Sequence, residues 1–197
     1  MRSELFSIYS IHKEVILSIQ QLLENRVSTV QTKMTGGRVS DEHIHQALKA
    51  TTAIPIHGKK NPLHFVVFNY ENREKALDLL YKSKAKKIER EPFNELCGGI
   101  GTVILGFIKK NISEKIPDYE SEYSGSTAMY AMQLSFFNNN YCIKWNSIFD
   151  EDSDTDSIFE DLGLSKKEYK SLGMLLVGTG SPESRERPDY NQYTKFI

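Results

Sequence analysis

The stretch that decides the fold of this chain is Ala128-Met129-Tyr130-Ala131-Met132-Gln133-Leu134-Ser135-Phe136-Phe137, the apolar middle of residues 124–140. Its apolar side chains would lie on every side of a helix and leave little room for a polar face. An α-helix that is apolar all round is buried, either in the core of one molecule or between two subunits. We therefore predict a buried helix over residues 124–140, ended by three asparagines, and both placements stay open at this point.

Apolar and β-branched runs on both sides of this helix predict a sheet. The predicted strands are residues 63–68, residues 101–108, a run containing Cys142, Ile143 and Trp145, and residues 173–178. The run 101–108 is almost wholly apolar, which is typical of a central strand covered on both faces. Helices and strands follow one another without a regular strand–helix–strand alternation, so the order favours an α+β fold over a doubly wound sheet.

Further helices are predicted from apolar spacing and from signals at their ends. The first covers residues 12–25. The second begins after Ser40, a preferred N-cap residue, and stops before Pro55, because the residue before a proline is driven out of the helical region. A charged helix covers residues 72–90, and we interpret its basic stretch as a solvated face.

The 197 residues fit a single domain, with residues 1–11 as an N-terminal extension and residues 181–197 as a polar tail. A net charge of −1 gives no long-range attraction to nucleic acid or to an anionic membrane, so neither partner is expected. No apolar run is long enough for a signal peptide or a bilayer span. Cys97 and Cys142 are far apart and are interpreted as reduced thiols. A cytoplasmic protein is predicted.

Several motif-like patterns fail on their spacing. Gly98-Gly99-Ile100-Gly101 lacks the third glycine of a dinucleotide fingerprint and precedes a strand, so we interpret it as a turn. The alternating aspartates of residues 150–156 lack the glycine and glutamate that a calcium loop requires. His43 and His45 are two residues apart and cannot share a helix face as metal ligands. No metal site and no hydrolase nucleophile is predicted.

Two polar features have both a ligand-binding and an ordinary interpretation. Arg26-Val27-Ser28 follows a helix, where a forked guanidinium and a hydroxyl can grip a phosphate, but an arginine and a serine there can also be a plain polar exit. His57 lies in a loop between a helix and a strand, a common place for functional residues. Alone, it is better interpreted as a surface histidine.

The order and spacing of these features resemble the nitroreductase family, most closely its small single-domain bacterial subgroup, from about Leu22 to Gly180. Four blocks carry the resemblance. They are Glu24-Asn25-Arg26-Val27-Ser28; residues 44–68 with Pro55, His57 and Pro62; residues 126–147, from Ala131-Met132-Gln133 to Ile143-Lys144-Trp145-Asn146-Ser147; and Leu175-Leu176-Val177-Gly178-Thr179.

This resemblance implies a nitroreductase-like α+β fold, with a central, mostly antiparallel sheet flanked by helices, in an intertwined homodimer that holds FMN at its interface. The positions that match the family's cofactor contacts are Arg26, Val27, Ser28, Ala53, His57, Trp145, Asn146 and Ser147. Arg26 and Ser28 would hold the phosphate and ribityl end of FMN, with Val27 contributing backbone. His57 would reach the flavin of the neighbouring subunit, and residues 145–147 would line the cofactor.

The resemblance also implies an activity. FMN would take hydride from NADH or NADPH and pass reducing equivalents to an electron-poor small molecule, such as a nitroaromatic, a quinone or an activated alkene. The resemblance names no catalytic side chain. An oxygen-dependent flavin-destroying or dehalogenating relative is a further alternative, by analogy of fold alone.

Missing arginines motivate a different alternative, a family member without flavin that serves as a binding or regulatory dimer. Val27, Gln31, Ala53 and Asn146 stand where the subgroup has arginine. A hydrogen bond from a charged donor contributes roughly 1.5–3 kcal/mol, so their loss would weaken FMN binding. The cations that could compensate are Lys59, Lys60, Arg185 and Arg187, and the sequence does not place them.

Overall fold

The structure is a computed structural model that describes residues 18–58, 60–84, 88–146, 155–183, 185–195 and 197. The predicted extension 1–11 and the first part of the predicted helix 12–25 lie outside the described residues. So do Lys59, Ser147 and residues 150–154 of the acidic stretch named above.

A four-stranded sheet forms the centre of the described chain. Its strands are β1 (Leu63–Phe68), β2 (Thr102–Lys109), β3 (Cys142–Asn146) and β4 (Tyr169–Gly178). The strand order is β1-β2-β4-β3, and each neighbouring pair is antiparallel. All of β2 except Lys109 is buried, because β2 is an inner strand with helices on both faces. The four predicted strands and the central position of the second one are confirmed.

Helices cover both faces of this sheet. Within the described ranges they are α1 (Ile19–Asn25), α2 (Asp41–Ala50), α3 (Arg73–Lys84), α4 (Arg90–Cys97), α5 (Asp118–Asn138) and α6 (Thr155–Asp161). Helices α2 and α5 pack on one face around Ile104, Met132 and Leu175, whereas α3, α4 and α6 pack on the other around Leu105 and Phe107. None of the described helices has the length and apolarity needed to cross a membrane.

The prediction of one charged helix over residues 72–90 is wrong. Helix α3 ends at Lys84, and Glu89, with extended backbone, is the N-cap of the separate helix α4. Pro92 explains where α4 begins, because it lies in the first helical turn, where its missing N–H is not required. The new helix then turns Phe93 and Cys97 into the core.

The central helix α5 is confirmed, and it begins earlier than predicted, at Asp118. One side is buried against the sheet through Met129, Met132 and Phe136. The opposite side of its first two turns is exposed: Tyr119 and Tyr123 have exposed fractions of 54% and 68%. These two tyrosines, which precede the predicted apolar stretch, are aromatic surface of α5 that a single chain leaves uncovered.

Candidate functional site

The segment after α1 is an extended strand-like connection whose side chains alternate between core and solvent. The N–H of Arg26 donates to the Leu22 carbonyl and closes α1. Val27 and Thr29 are buried, whereas Ser28 is exposed, as the two-residue period of extended backbone requires. The Thr29 N–H donates to the Ile143 carbonyl at 2.8 Å. This bond fixes the segment beside β3, so the Ser28 side chain has a defined direction.

The Arg26 guanidinium is held from two sides but is not saturated. Its Nη1 donates to Ser28 Oγ and to Gln133 Oε1, each at 3.3 Å. The guanidinium carbon of Arg26, Cζ, lies 5.4 Å from the centre of the Tyr130 ring. Its Nε is buried and has no hydrogen-bond partner among the described residues. Leaving a buried donor unpaired costs about 1–3 kcal/mol. Arg26 therefore fits a further acceptor, such as a phosphate oxygen.

A cavity of about 250 Å³ lies next to Ser28, the serine whose Oγ accepts from Arg26, between the segment after α1 and the C-terminal tail. Its lining residues are Val27, Ser28, Thr29, Val30, Lys33, Glu183 and Arg185. Pockets for whole drug-sized ligands measure roughly 300–1,000 Å³, so this volume suits one end of a ligand. Its polar lining comprises two cations, two hydroxyl residues (Ser28 and Thr29) and the acid Glu183. The cations and hydroxyls are donors of the kind that bind phosphate.

The tail is attached to this site through Arg187. Its Nε donates to the Glu24 carbonyl at 3.0 Å, and its Nη2 donates to the Arg26 carbonyl. A cation bonded to the last carbonyls of a helix satisfies acceptors that the helix leaves unpaired. Of the cations that sequence left unplaced, Arg185 thus lines the cavity, whereas Arg187 anchors backbone.

Two other predicted positions, Ala53 and His57, lie near the N-terminal end of α5. Ala53 is exposed at the end of a short 3-10 helix, Thr51–Ala53. The Ser124 hydroxyl donates to the Pro55 carbonyl at 3.0 Å and ties this loop to α5. His57 Nδ1 contacts the Glu120 carboxylate, and 62% of the histidine side chain remains exposed. His57 is thus fixed at one nitrogen while its ring faces outward.

The distance between these two groups of residues follows from α5 itself. Arg26 contacts α5 at Gln133, and His57 contacts it at Glu120, thirteen residues earlier on the same helix. At a rise of 1.5 Å per residue this separation is about 20 Å. The structure therefore does not bring Arg26 and His57 together within one chain.

The two described residues of β3 that were predicted to contact the cofactor, Trp145 and Asn146, are half-buried. The Trp145 indole N–H donates to the Leu172 carbonyl at 2.8 Å, and its half-buried ring packs on the core that contains Met129. Asn146 is half-buried at the end of β3. Neither side chain lines the cavity beside Arg26.

Sequence reasoning missed Lys33, Gln133 and Glu183, which complete the site. Gln133 carried a signal, since it is a polar residue in the most apolar stretch of the chain. No local pattern in the sequence pointed to Lys33 or Glu183, because the two residues of this ion pair are 150 positions apart in the chain.

The two thiols are not reactive groups of this site. Burial raises the pKa of the Cys97 thiol to about 11, although the Lys144 and Arg90 cations lower it. Burial also raises the pKa of Cys142. Both are protonated at neutral pH and are poor nucleophiles. The described residues contain no group of three or more histidine, cysteine or acidic side chains that could hold a metal ion.

Comparison with solved structures identifies the architecture. A nitroreductase-like family protein from Bacillus cereus superposes with a TM-score of 0.76, covering 92% of this chain and 96% of its own, at 19% sequence identity. The chain has the nitroreductase-like fold. The predicted fold is therefore confirmed, although the sequence identity to this solved structure is only 19%.

Two further solved structures with the nitroreductase-like fold carry cofactor information. A candidate nitroreductase from Desulfovibrio desulfuricans, in complex with FMN, has a TM-score of 0.71 at 18% identity and covers 92% of this chain and 98% of its own. An FMN-dependent nitroreductase from Clostridium difficile has a TM-score of 0.68 at 20% identity, with coverage of 89% and 96%. No protein-family model matches the sequence, and no curated protein matches it.

Proposed function

We propose that this protein is an FMN-dependent oxidoreductase that transfers reducing equivalents from NADH or NADPH to an electron-poor small molecule, such as a nitroaromatic, a quinone or an activated alkene. One observation carries the proposal. A cavity is lined by Ser28, Lys33 and Arg185, and Ser28 accepts a hydrogen bond from Arg26, whose buried Nε has no partner among the described residues. Two solved proteins of the same fold are described as FMN complexes or FMN-dependent enzymes.

The residues of the cavity would bind the phosphate end of FMN. Arg26 offers charged donors that are already aligned by Gln133, and Ser28 offers a hydroxyl. Lys33, from the 3-10 helix Gln31–Lys33, and Arg185, from the C-terminal tail, add positive charge. Lys33 and Arg185 would supply the positive charge that is missing because Val27 and Gln31 stand where the subgroup has arginine. Their presence favours the flavin-binding form over a flavin-free dimer. FMN, when bound, supplies the redox chemistry, and the protein binds and orients it.

The working unit would be a homodimer with two equivalent sites. The cavity beside Arg26 accommodates one end of a ligand, and His57 lies about 20 Å away along α5. The exposed face of α5, with Tyr119 and Tyr123, gives a second copy apolar surface to cover. We propose that His57 of the partner subunit reaches the flavin bound at Arg26.

The test begins with the purified protein and its absorbance near the flavin bands. We expect a yellow protein, or a colourless one whose melting temperature rises with added FMN, because a ligand that binds only the folded state stabilises it. NADH or NADPH should then bleach the flavin under anaerobic conditions. An Arg26→Gln variant should bind FMN at least tenfold more weakly, a loss of about 1.4 kcal/mol.

Riboflavin serves as the matched ligand control because it lacks the phosphate. Its affinity should change little in the Arg26→Gln variant. The proposal fails if the wild-type protein shows neither bound flavin nor a melting-temperature shift with FMN. In that case the flavin-free binding dimer becomes the better description.

A further inference from the structure

An ion pair spans the cavity that Ser28, Lys33 and Arg185 line. Lys33 Nζ lies 2.6 Å from both carboxylate oxygens of Glu183. Lys33 ends the short 3-10 helix Gln31–Lys33, and Glu183 belongs to the C-terminal tail. Both residues line the cavity. The carboxylate therefore already holds a cation that the proposed ligand would need.

The charges of the lining make this contact unusual. Lys33 and Arg185 favour an anion in the cavity, whereas Glu183 opposes one. A carboxylate and a phosphate use the same kind of acceptor oxygen toward an ammonium group. Glu183 thus occupies the bonding positions of Lys33 that a phosphate would take.

The pair is also easy to exchange. The side chains of Lys33 and Glu183 are 50% and 72% exposed. Exposed ion pairs contribute little, because water screens them and two long side chains must be ordered. A phosphate dianion offers more charge and more acceptor oxygens than a carboxylate. The exchange of one anion for the other on Lys33 is therefore favourable.

We propose that Glu183 is a built-in competitor for the anion site: it binds Lys33 until the phosphate group of the ligand displaces it. The identity of that ligand as FMN rests on the proposed function, but the competition applies to any phosphate-bearing ligand. Glu183 keeps the cation paired and lowers the affinity of the site. The tail that carries Glu183 stays attached through Arg187, which bonds to backbone carbonyls and does not depend on Lys33.

The experiment compares Glu183→Gln with Glu186→Gln. Glu186 is an exposed acid of the same tail that does not line the cavity, so both variants change the net charge equally. Dissociation constants are measured by calorimetry for FMN, riboflavin and inorganic phosphate. For Glu183→Gln we expect FMN and phosphate to bind about two- to fivefold more tightly, the range of an exposed ion pair, and riboflavin affinity to stay unchanged.

A second variant tests whether the effect passes through Lys33. In a Lys33→Gln background, Glu183→Gln should give a clearly smaller gain, because only the direct repulsion between Glu183 and the anion is then removed. The inference is overturned if Glu183→Gln binds FMN and phosphate equally or more weakly. It is also overturned if Glu186→Gln gives the same gain, or if the gain is undiminished without Lys33.

Failure of the proposed function gives a different pattern. If no variant binds FMN but phosphate binds, the flavin assignment fails and the phosphate constants alone decide on Glu183. If phosphate binds none of the proteins either, both proposals are overturned.

Discussion

Gln133, in the most apolar stretch of the chain, accepts a hydrogen bond from Arg26 at 3.3 Å across 107 residues of sequence. It is 3% exposed. Buried polar groups are nearly always paired, and this pairing explains why a glutamine lies in a mostly apolar part of α5. The same guanidinium also donates to Ser28, which lines the cavity.

Replacing Gln133 should therefore weaken FMN binding indirectly, through its hydrogen-bond partner Arg26. In Gln133→Leu, Arg26 loses an acceptor in a partly buried place, so the free energy of unfolding should fall by about 1–3 kcal/mol. The FMN dissociation constant should rise about tenfold. Calorimetry and urea denaturation measure the two effects.

Two comparison variants separate orientation from simple destabilisation. In Gln133→Glu, Arg26 keeps an acceptor, but the new carboxylate neutralises the charge of the guanidinium. The free energy of unfolding should therefore be retained, while FMN affinity still falls. Gln46→Leu changes an exposed glutamine of α2 and should alter neither quantity by more than about 0.5 kcal/mol. An unchanged FMN affinity in Gln133→Leu would show that Arg26 needs no such support.

The sequence predicted features that depend on local pattern. The strand Leu63–Phe68 was predicted with its observed ends, because its composition and the proline before it are local signals. The start of α2 after Ser40 was predicted for the same reason. Arg26 and Ser28 were singled out because an arginine and a hydroxyl two residues apart follow a helix, and their binding of a phosphate stays a prediction.

The remainder depends on contacts that no local pattern encodes. Lys33 meets Glu183, and Arg187 meets the end of α1, only because the tail returns to the first helix. The break before α4 was missed because a run of charged residues looks continuous in helical spacing. The hydrogen bond from the Trp145 indole N–H to Leu172 depends on the register of β3 and β4, and the lining of a cofactor by Trp145 stays a prediction.

The two arginines of the tail should have separable roles. Arg187→Ala removes the bonds to the Glu24 and Arg26 carbonyls, so we expect the tail to be cleaved faster in limited proteolysis and FMN affinity to fall as well. Arg185→Ala removes only a cation of the cavity, so FMN affinity should fall about three- to tenfold with unchanged proteolysis. Equal proteolysis of both variants would contradict the assignment of Arg187 as the anchor.

The buried Cys97 thiol should make stability depend on alkaline pH. Burial raises its pKa from an ordinary 9.0 to about 11. Because the folded state holds this proton more tightly than the unfolded state, the contribution is complete below pH 9 and is lost as the pH rises toward 11. The loss should approach roughly 2 kcal/mol.

Urea denaturation at pH 8 and pH 10.5 measures this dependence in the wild type and in Cys97→Ala. Lysine and tyrosine titrations are common to both proteins, so the smaller pH-dependent loss expected in Cys97→Ala isolates the thiol. The same loss in both would show that Cys97 does not ionise in this range. Alkylation by iodoacetamide at pH 8 should likewise be slow until the protein unfolds.

The last prediction concerns the division of each site between two chains. If Arg26 of one chain and His57 of the other form a site, then a heterodimer of an Arg26→Gln chain and a His57→Ala chain has one site with both substitutions and one intact site. Co-expression with two different affinity tags isolates this heterodimer. Its NADH- or NADPH-dependent activity should be about half that of the wild type, with one FMN bound at wild-type affinity.

The mirror arrangement of the same substitutions is the control. A heterodimer of a wild-type chain and a chain carrying both Arg26→Gln and His57→Ala contains the same residues overall, but each shared site then has one damaged half. Shared sites make the first heterodimer active and the second inactive, because the first keeps an intact pair and the second does not. Sites contained within one chain reverse this order. The thirteen residues of α5 that separate the contacts of Arg26 and His57 favour the shared arrangement, since about 20 Å lies between them in a single chain.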